Sequence, residues 1–303
     1  MNIQAKCHFC PVCDGHGCTG ELPGMGGAFE SANFQANCAA WVNYAHLVNE
    51  DSPAADMRLA PITGSVENIG FGSEAPFYRA IIDAALCADV ALAIGDGVPD
   101  EKLRYGIEAL EAAGARGAVF CKPYPNERIL ERFDWAREQA EYLGVDIDSY
   151  NILTMRNRVQ LEKKDAYSLR VLAKAAQRPF AIKGVFTLED LELVRELKPD
   201  VVVVSNHGGR IETRRGATAD FLAEHGAMLA RHCGEIWVDG GIRFARDRQI
   251  ARALGAKEVL IGRPFITALL KDGLQGIRHA VQATFAICEP AETGKQGLRA
   301  KEA

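Results

Sequence analysis

Between residues 57 and 261, eight short apolar runs alternate with longer segments of helical period, and this alternation restricts the fold more than any other feature. The runs are "MRLAPI", "DVALAI", "ARGAVFC", "LGVDID", "RPFAIK", "DVVVVS", "GEIWVD" and "KEVLI". Between them lie amphipathic stretches such as "DEKLRYGIEALEAAG", "NERILERFDWAREQAEYLG", "KKDAYSLRVLAKAA", "TLEDLELVRELK" and "FARDRQIARALGA". Strand, helix and strand at this spacing pair in parallel through right-handed crossovers. Parallel strands are covered on both faces, which is why one of the runs reads as four consecutive valines, Val201 to Val204. Thr187 with Asp190 three residues on resembles a capping box, and Gly114, Gly144 and Gly255 are expected where helices stop.

Eight such units suit a closed (β/α)8 TIM barrel. An open doubly wound sheet would carry a dinucleotide glycine fingerprint after its first strand, and "TGSVENIGFG" is not one. The expected organisation is a short Cys- and Gly-rich N-terminal extension, residues 1–50, holding a metal site and a lid. The barrel, 51–303, follows, its regular part running to about residue 289 before a short polar tail.

Composition narrows the function classes. The 303 residues are 48% hydrophobic and 25% charged, enough for a large core. A formal net charge of -5 supplies no overall basic field to attract nucleic acid or anionic lipid. No apolar run reaches the roughly 18 to 20 residues of a membrane span. The start, "MNIQAKCHFCPVC", lacks the apolar centre of a signal peptide, so a cytoplasmic protein is expected.

In a barrel of this kind the active site is built where the strands end, so residues just past each strand face the mouth. "SNHGGR" follows the sixth strand and delivers His207 and Arg210; "KG" follows the fifth with Lys183; "DGGIR" closes the seventh and "IGRP" the eighth. Lys183, Asp239, Arg243 and Arg263 therefore converge on one rim. Gly240, Gly241 and Gly262 let backbone N–H groups approach an anion, and the loops after strands seven and eight are the habitual phosphate site of this architecture. A loop histidine or a Gly-Gly pair carries little by itself. Recurrence at consecutive strand ends is what points to a site.

"IKGV", "SNHGGR", "DGGIR" and "ALGAKEVLIGRP", in this order and spacing, resemble the FMN-dependent α-hydroxy-acid dehydrogenase and oxidase family, which includes glycolate oxidase and lactate oxidase. The resemblance is strong from about Pro179 to Gly273 and weaker upstream, where "LAPITG" is similar to the family's first strand. It implies an FMN enzyme oxidising a small L-2-hydroxy acid of the lactate or glycolate kind. His207 would be the general base, taking a proton from the substrate's C2 hydroxyl on a hydride route or from C2 on a carbanion route, Arg210 would clamp the substrate carboxylate, and Lys183 would lie by the flavin N1 and O2 edge. It further implies that Ser205 hydrogen-bonds the ring, that Asp239, Gly240, Gly241, Arg243, Gly262 and Arg263 hold the phosphate arm, and that Pro61, Ile62 and Thr63 pack on the ring. The family orients its base with an aspartate after strand four, where this chain offers Asp146 and Asp148 on one side of the strand. Asp148, nearer the mouth, is the expected partner.

The departures matter too. The family's "GGRQLD" is here "GGRIET", which brings in Glu212 and Thr213. Its glutamine and tyrosine after strand three are not evident in "VFCKPYPNER", leaving Tyr124 as a substitute or Lys122 as a group near the flavin. The segment from Asp148 to Lys183 is shorter than in the plant oxidases, and Arg156 or Arg158 is expected to supply the second substrate arginine.

Nine cysteines are an odd set for disulfides. Cys38, Cys87, Cys121, Cys233 and Cys288 lie scattered and are expected to be small apolar or inert side chains. Cys7, Cys10, Cys13 and Cys18 fall within "CHFCPVCDGHGC", a spacing that suits one metal centre: a [4Fe–4S] cluster by its compact C-x2-C-x2-C run, or structural zinc. A cluster would give electrons an exit from the flavin and make the protein a dehydrogenase, its acceptor unspecified. Two other readings remain at this point. One is a non-catalytic flavin- or metal-binding sensor. The other is an FMN-dependent isomerase of the type 2 isopentenyl diphosphate isomerase kind. The family resemblance also implies a homo-oligomer, a tetramer or an octamer.

Overall fold

The computed structural model describes residues 31–151, 159–211 and 213–286. Chain order is α1 (Ala32–Ala40), β1 (Asp56–Leu59), α2 (Ser65–Ile69), α3 (Glu74–Cys87), β2 (Ala93–Gly95), α4 (Glu101–Ala112), β3 (Gly117–Cys121), α5 (Asn126–Ala136) and β4 (Ala140–Asp146). It continues with α6 (Ala166–Ala176), β5 (Phe180–Val185), α7 (Leu188–Leu197), β6 (Val201–Val204), α8 (Thr218–Leu229), β7 (Glu235–Asp239), α9 (Ala245–Ala253), β8 (Glu258–Ile261), α10 (Arg263–Asp272) and α11 (Gly276–Ala280).

All eight strands run parallel, in the order β1-β8-β7-β6-β5-β4-β3-β2. A bridge between Arg58 and Ala91 joins the two ends, with the Leu59 N–H donating to the Ala91 carbonyl at 2.7 Å. The sheet is thus closed, as the eight-run pattern predicts.

The four valines show how one strand serves two cores. Val201 and Val203 pack inside the barrel with Phe120, Ala181, Trp237 and Leu260. Val202 and Val204 point outward into the helical layer. Burying each such side chain is worth roughly 1.5–3 kcal/mol, so neither face tolerates a polar residue. Arg58 is buried at the far end of the barrel, paired with Glu258 and lying 4.5 Å over the Trp237 ring. This plug shuts the end of the barrel opposite the strands' C-terminal tips.

The capping box forms as predicted, since the Asp190 N–H donates to Thr187 and the Asp190 carboxylate accepts from the Thr187 N–H. Gly114 and Gly255 follow helices in left-handed conformation. Gly144 does not end a helix. The helical reading of 126–144 gives way at Ala136, and Ala140–Asp146 pairs with β3 and β5. Glycine is needed there because a Cβ would lie 2.6 Å from the Ala181 carbonyl oxygen of β5. Among the described residues, no helix is long and apolar enough to cross a membrane.

Candidate active site

Where β6 ends, Ser205 is buried, and His207, Gly208 and Gly209 then take φ of 58°, 64° and 88° in succession. This left-handed turn folds the chain back over the mouth. Left-handed backbone is unusual for a histidine and costs about 1–2 kcal/mol, so the surrounding structure must impose it.

Helix α1 does so. The Ser31 hydroxyl donates to the Gly209 carbonyl, and the Asn33 amide donates to Ile211 O at 2.7 Å and Arg214 O at 2.9 Å. Asn37 and Asn206 exchange amide hydrogen bonds at 2.8 and 3.1 Å. The Trp41 indole donates to Gly240 O at 2.9 Å. A Cβ on Gly241, whose φ is 77°, would fall 1.8 Å from the Asn37 carbonyl oxygen, so only glycine permits this approach. The start of α1 thus lies on the rim where a lid was expected. The rest of that glycine-rich stretch is outside the described residues.

The charged centre of the mouth is Asp146, the last residue of β4. Its carboxylate accepts from Lys122 Nζ at 2.9 Å and Lys183 Nζ at 3.4 Å, and lies 3.5 Å from His207 Nδ1. Burial opposes its charge, but Lys122, then Lys183, then His207 prevail and hold it well below the usual carboxylate range. Lys183 also donates to Ser205 Oγ at 3.0 Å and lies 3.3 Å from Asp239, while Ser205 donates to Asp239 at 2.7 Å. Burial disfavours the Lys183 charge too, yet Asp146 and Asp239 keep this ammonium above the ordinary lysine range. His207 goes the other way. Burial pushes its imidazole well below the ordinary value, Asp146 resists, and Lys122, Lys183 and Arg210 add to the fall. At neutral pH the ring is therefore an unprotonated base.

Across the mouth, Gly240, Gly241, Gly262, Arg243 and Arg263 surround a concave corner at the start of α10. Arg263 donates to Gly208 O at 3.0 Å and lies 4.5 Å over the Phe34 ring. Its pKa is pushed down to about 9, by burial first and then by the neighbouring Arg210 and Arg243. Arg263 Nε and Asp239 Oδ1 are buried without hydrogen-bond partners. A crowd of guanidiniums with an unmatched buried donor beside open glycine backbone is complementary to a phosphate. The FMN expectation therefore fits the residues present: the corner suits a phosphate, and the cavity beside it reaches Pro61, Ile62 and Thr63.

One cavity is lined by Pro61, Ile62, Thr63, Lys183, His207, Arg210, Asp239, Gly240, Gly241, Arg243, Gly262 and Arg263. Ser205 lies behind it, bonded to Lys183, and Asp148 approaches His207 Nδ1 at 3.2 Å. Both aspartates thus reach the histidine, and sequence reasoning missed that Asp146 carries the lysines. Lys122 lines the cavity with Phe120, two residues back on β3; the period of two along a strand was the available signal. Tyr124 is fully buried under Arg128 and Arg132 and does not line the cavity. The roles of Asn37 and Phe34 had no sequence signal, because their partners are more than 160 positions away. The Cys38 sulfur lies 3.7 Å from Arg243 Nη2, at the edge of this corner. Arg156, Arg158, Glu212, Cys288 and the cysteines at 7, 10, 13 and 18 lie outside the described residues.

Comparison with known proteins bears on the family and the fold. Residues 123–285, just over half of the chain, match the model of a family described as FMN-dependent dehydrogenase. The chain is 35% identical over 113 residues to 2-hydroxyacid oxidase 2 of Rattus norvegicus, covering 37% of this chain and 32% of that protein. It is 38% identical over 104 residues to 4-hydroxymandelate oxidase of Amycolatopsis orientalis (34% and 29%). It is also 38% identical over 126 residues to L-lactate dehydrogenase (cytochrome) of Wickerhamomyces anomalus (40% and 22%). These matches span less than a third of each relative's length. In fold the chain is similar to a mandelate oxidase crystallised with (S)-2-phenylpropionate, at TM-score 0.61 and 22% identity, covering 86% of each chain.

Proposed function

The chain belongs to the FMN-dependent dehydrogenase family, and from that premise we propose that it oxidises a small L-2-hydroxy acid, of the lactate or glycolate kind, to the 2-oxo acid. The observation that supports this most is the meeting of His207 and Arg210 in the same cavity as Lys183 and the phosphate corner. A protein that only held the cofactor would need neither of the first two. Bound FMN supplies the two-electron acceptor for the substrate's C2 centre.

The chain's own residues supply the rest. Arg210 binds the substrate carboxylate and so fixes which face of C2 meets the ring. His207, unprotonated at neutral pH, takes the proton from the C2 hydroxyl at Nε2, and the resulting imidazolium is stabilised by the Asp148 and Asp146 carboxylates, 3.2 and 3.5 Å from Nδ1. Lys183, held cationic against Asp146 and Asp239, places a fixed positive charge beside the ring edge where negative charge develops. Gly240, Gly241, Gly262, Arg243 and Arg263 hold the phosphate, and Ser205 and Asp239 set the position of the Lys183 ammonium. Arg156 is the proposed second contact to the substrate carboxylate. Cys7, Cys10, Cys13 and Cys18 are proposed to bind a metal centre, a [4Fe–4S] cluster on spacing, with zinc as the alternative. The cluster would take electrons onward to an acceptor and make the enzyme a dehydrogenase rather than an oxidase.

The test is anaerobic. The purified protein, reconstituted with FMN, should show flavin bands that bleach on adding L-lactate, glycolate or a longer 2-hydroxy acid. A His207→Gln variant should keep the bands and lose the bleaching. Flavin that stays oxidised with every 2-hydroxy acid, in a protein that binds FMN tightly, refutes the proposal. Iron and sulfide analysis of the same sample separates cluster from zinc.

A further inference from the structure

A charged carboxylate beside an imidazole draws a proton onto it, raising its pKa by about 1–3 units. A general base needs the opposite, a ring that is neutral before the substrate arrives. His207 has Asp148 3.2 Å and Asp146 3.5 Å from Nδ1. Burial first, and then the charge of Asp146, push the Asp148 carboxyl well above the usual carboxylate range, so it adds little negative charge at this stage. Asp146 is the one held as an anion, and its pull on the ring calls for an opposing cation.

Strand register supplies that cation. Cys121 on β3 lies opposite Val145 on β4, and Asp146 lies opposite Lys183 on β5. Lys122 therefore stands beside Asp146 just past β3, two residues beyond Phe120, which faces the inside of the barrel. Lys122, Asp146 and Lys183 form a row across three neighbouring strand tips, with N–O distances of 2.9 and 3.4 Å. The two ammoniums are not equivalent. Lys183 is divided between Asp146 and Asp239, 3.3 Å away, and donates to Ser205 as well. Lys122 is buried and has Asp146 as its ion-pair partner among the described residues. Its backbone is anchored too, because its N–H donates to Asp96 Oδ2 at 3.3 Å and that oxygen also accepts from Arg132 Nε at 2.8 Å.

We propose that Lys122 is a positioning residue for the reaction that acts through Asp146: its ammonium offsets that carboxylate, so that His207 meets the substrate as a neutral imidazole. Burial lowers the His207 pKa first, Asp146 raises it, and Lys122 leads the cations that oppose Asp146. The other charged groups around the cavity are Lys183 from β5, Arg210 from the histidine's own loop, Asp239 from β7, Asp96 from the end of β2, and Arg243 and Arg263 at the phosphate corner. Helix α1, which holds the loop, carries no charged side chain. Lys183 is matched by Asp239 and Asp96 by Arg132, while Arg243 and Arg263 serve the anion corner. The Asp146 charge is thus left to Lys122. An ammonium does what loss of the carboxylate would not: it quiets Asp146 before the reaction and leaves it in place to stabilise the imidazolium. The transferred proton goes from the C2 hydroxyl to Nε2, and Lys122 and Asp146 keep their own protonation states throughout.

The proposal rests on His207 being the base only for its use in turnover, and its test needs no substrate. In the FMN-loaded protein, the ring carbons and nitrogens of isotopically labelled histidine are followed by NMR through a pH titration, with the His207 signals assigned by comparison with His207→Gln. Lys122→Met removes the charge at similar length. It should raise the pH at which His207 protonates by about one unit or more, a tenfold or greater gain in proton affinity, whereas Lys122→Arg should leave the midpoint in place. Asp146→Asn removes the pull itself and should move the midpoint the other way. A mere loosening of the site would relieve burial and raise the midpoint in both neutral variants, so a rise in Asp146→Asn overturns the proposal. A midpoint that Lys122→Met leaves unchanged or lowers overturns it too, as does a wild-type ring already protonated at pH 7. Should Lys122→Met fold poorly, Lys122→Gln, which keeps a hydrogen-bond donor without the charge, must show the same rise. Because no 2-hydroxy acid enters the titration, failure of the oxidation assay and failure of this proposal stay distinguishable.

Discussion

Replacing Arg263 with methionine should stabilise the FMN-free protein and weaken FMN binding, a pair of effects with opposite signs. The guanidinium is forced to be charged in a buried place beside Arg210 and Arg243, and its pKa falls by about 3.5 units, from the ordinary guanidinium value to about 9. At about 1.4 kcal/mol per pH unit, that fall amounts to about 5 kcal/mol against the folded, unliganded state. The sign follows from linkage: the folded pKa lies below the unfolded one, so the full cost is present below pH 9 and is relieved as pH rises from about 9 toward the ordinary guanidinium value. Methionine removes the charge at similar length. It forfeits the hydrogen bond to Gly208 O, worth about 1.5–3 kcal/mol for a charged donor, and the contact with Phe34, worth about 0.5–1 kcal/mol. A net gain of about 1–3 kcal/mol remains, which in a chain this long raises the melting temperature by a few degrees. FMN binding should lose about 1.5–3 kcal/mol, or roughly tenfold to a hundredfold in Kd. Scanning fluorimetry of flavin-stripped protein at pH 7, with and without graded FMN, reads both effects. A variant less stable than wild type without FMN, or one that binds FMN as tightly, refutes the idea that this corner is an anion site under electrostatic strain.

Gly241→Ala should displace α1 from the rim, because the new Cβ would meet the Asn37 carbonyl oxygen; the expected result is loss of FMN binding together with faster proteolysis near residue 37. Arg132 is fully buried and pairs with Asp96 at 2.8 Å, so Arg132→Leu removes the guanidinium from a buried carboxylate that keeps the Gly97 and Lys122 N–H bonds, and should cost about 3–5 kcal/mol in denaturant unfolding. The depressed His207 pKa means that the rate of flavin reduction by substrate should stay level from pH 8 down past pH 6.5 and fall only on the acid side of that value, as stopped-flow traces would reveal. His207→Gln should lower that rate by about 10²–10⁴-fold with FMN affinity little changed.

The barrel was legible because its signal is local and repeated: each strand is a short apolar run, and each helix carries its own period and caps. The residues past the strand tips were legible for the same reason, since closure of the sheet sends all of them to one end. What was not legible is what distant segments do to one another. Asp146 ends β4 and Asp148 follows two residues on, a spacing the sequence shows, but the bonds from Lys122 and Lys183 that set them apart come from the end of β3 and from β5. The room for Asp148 depends on a bulge at Gly184, which no pattern of apolar residues announces. Likewise, Asn33 and Asn37 read as unremarkable helix residues until the fold brings them against the loop carrying His207. The misplaced helix end at Gly144 shows the converse. Glycine was read as a stop, whereas there it serves the close approach of β5.

The central claim is that closure of the barrel assembles a flavin site from widely separated strand tips, with His207 on the same side of the molecule as the phosphate corner. A crystal structure of the protein grown with FMN tests it most directly. The account predicts the phosphate against Gly241, Arg243 and Arg263, the ring over Pro61 to Thr63, and the Lys183 ammonium at the ring edge, with His207 facing the ring. Flavin bound elsewhere, or a ring out of reach of the residue 207 imidazole, contradicts it.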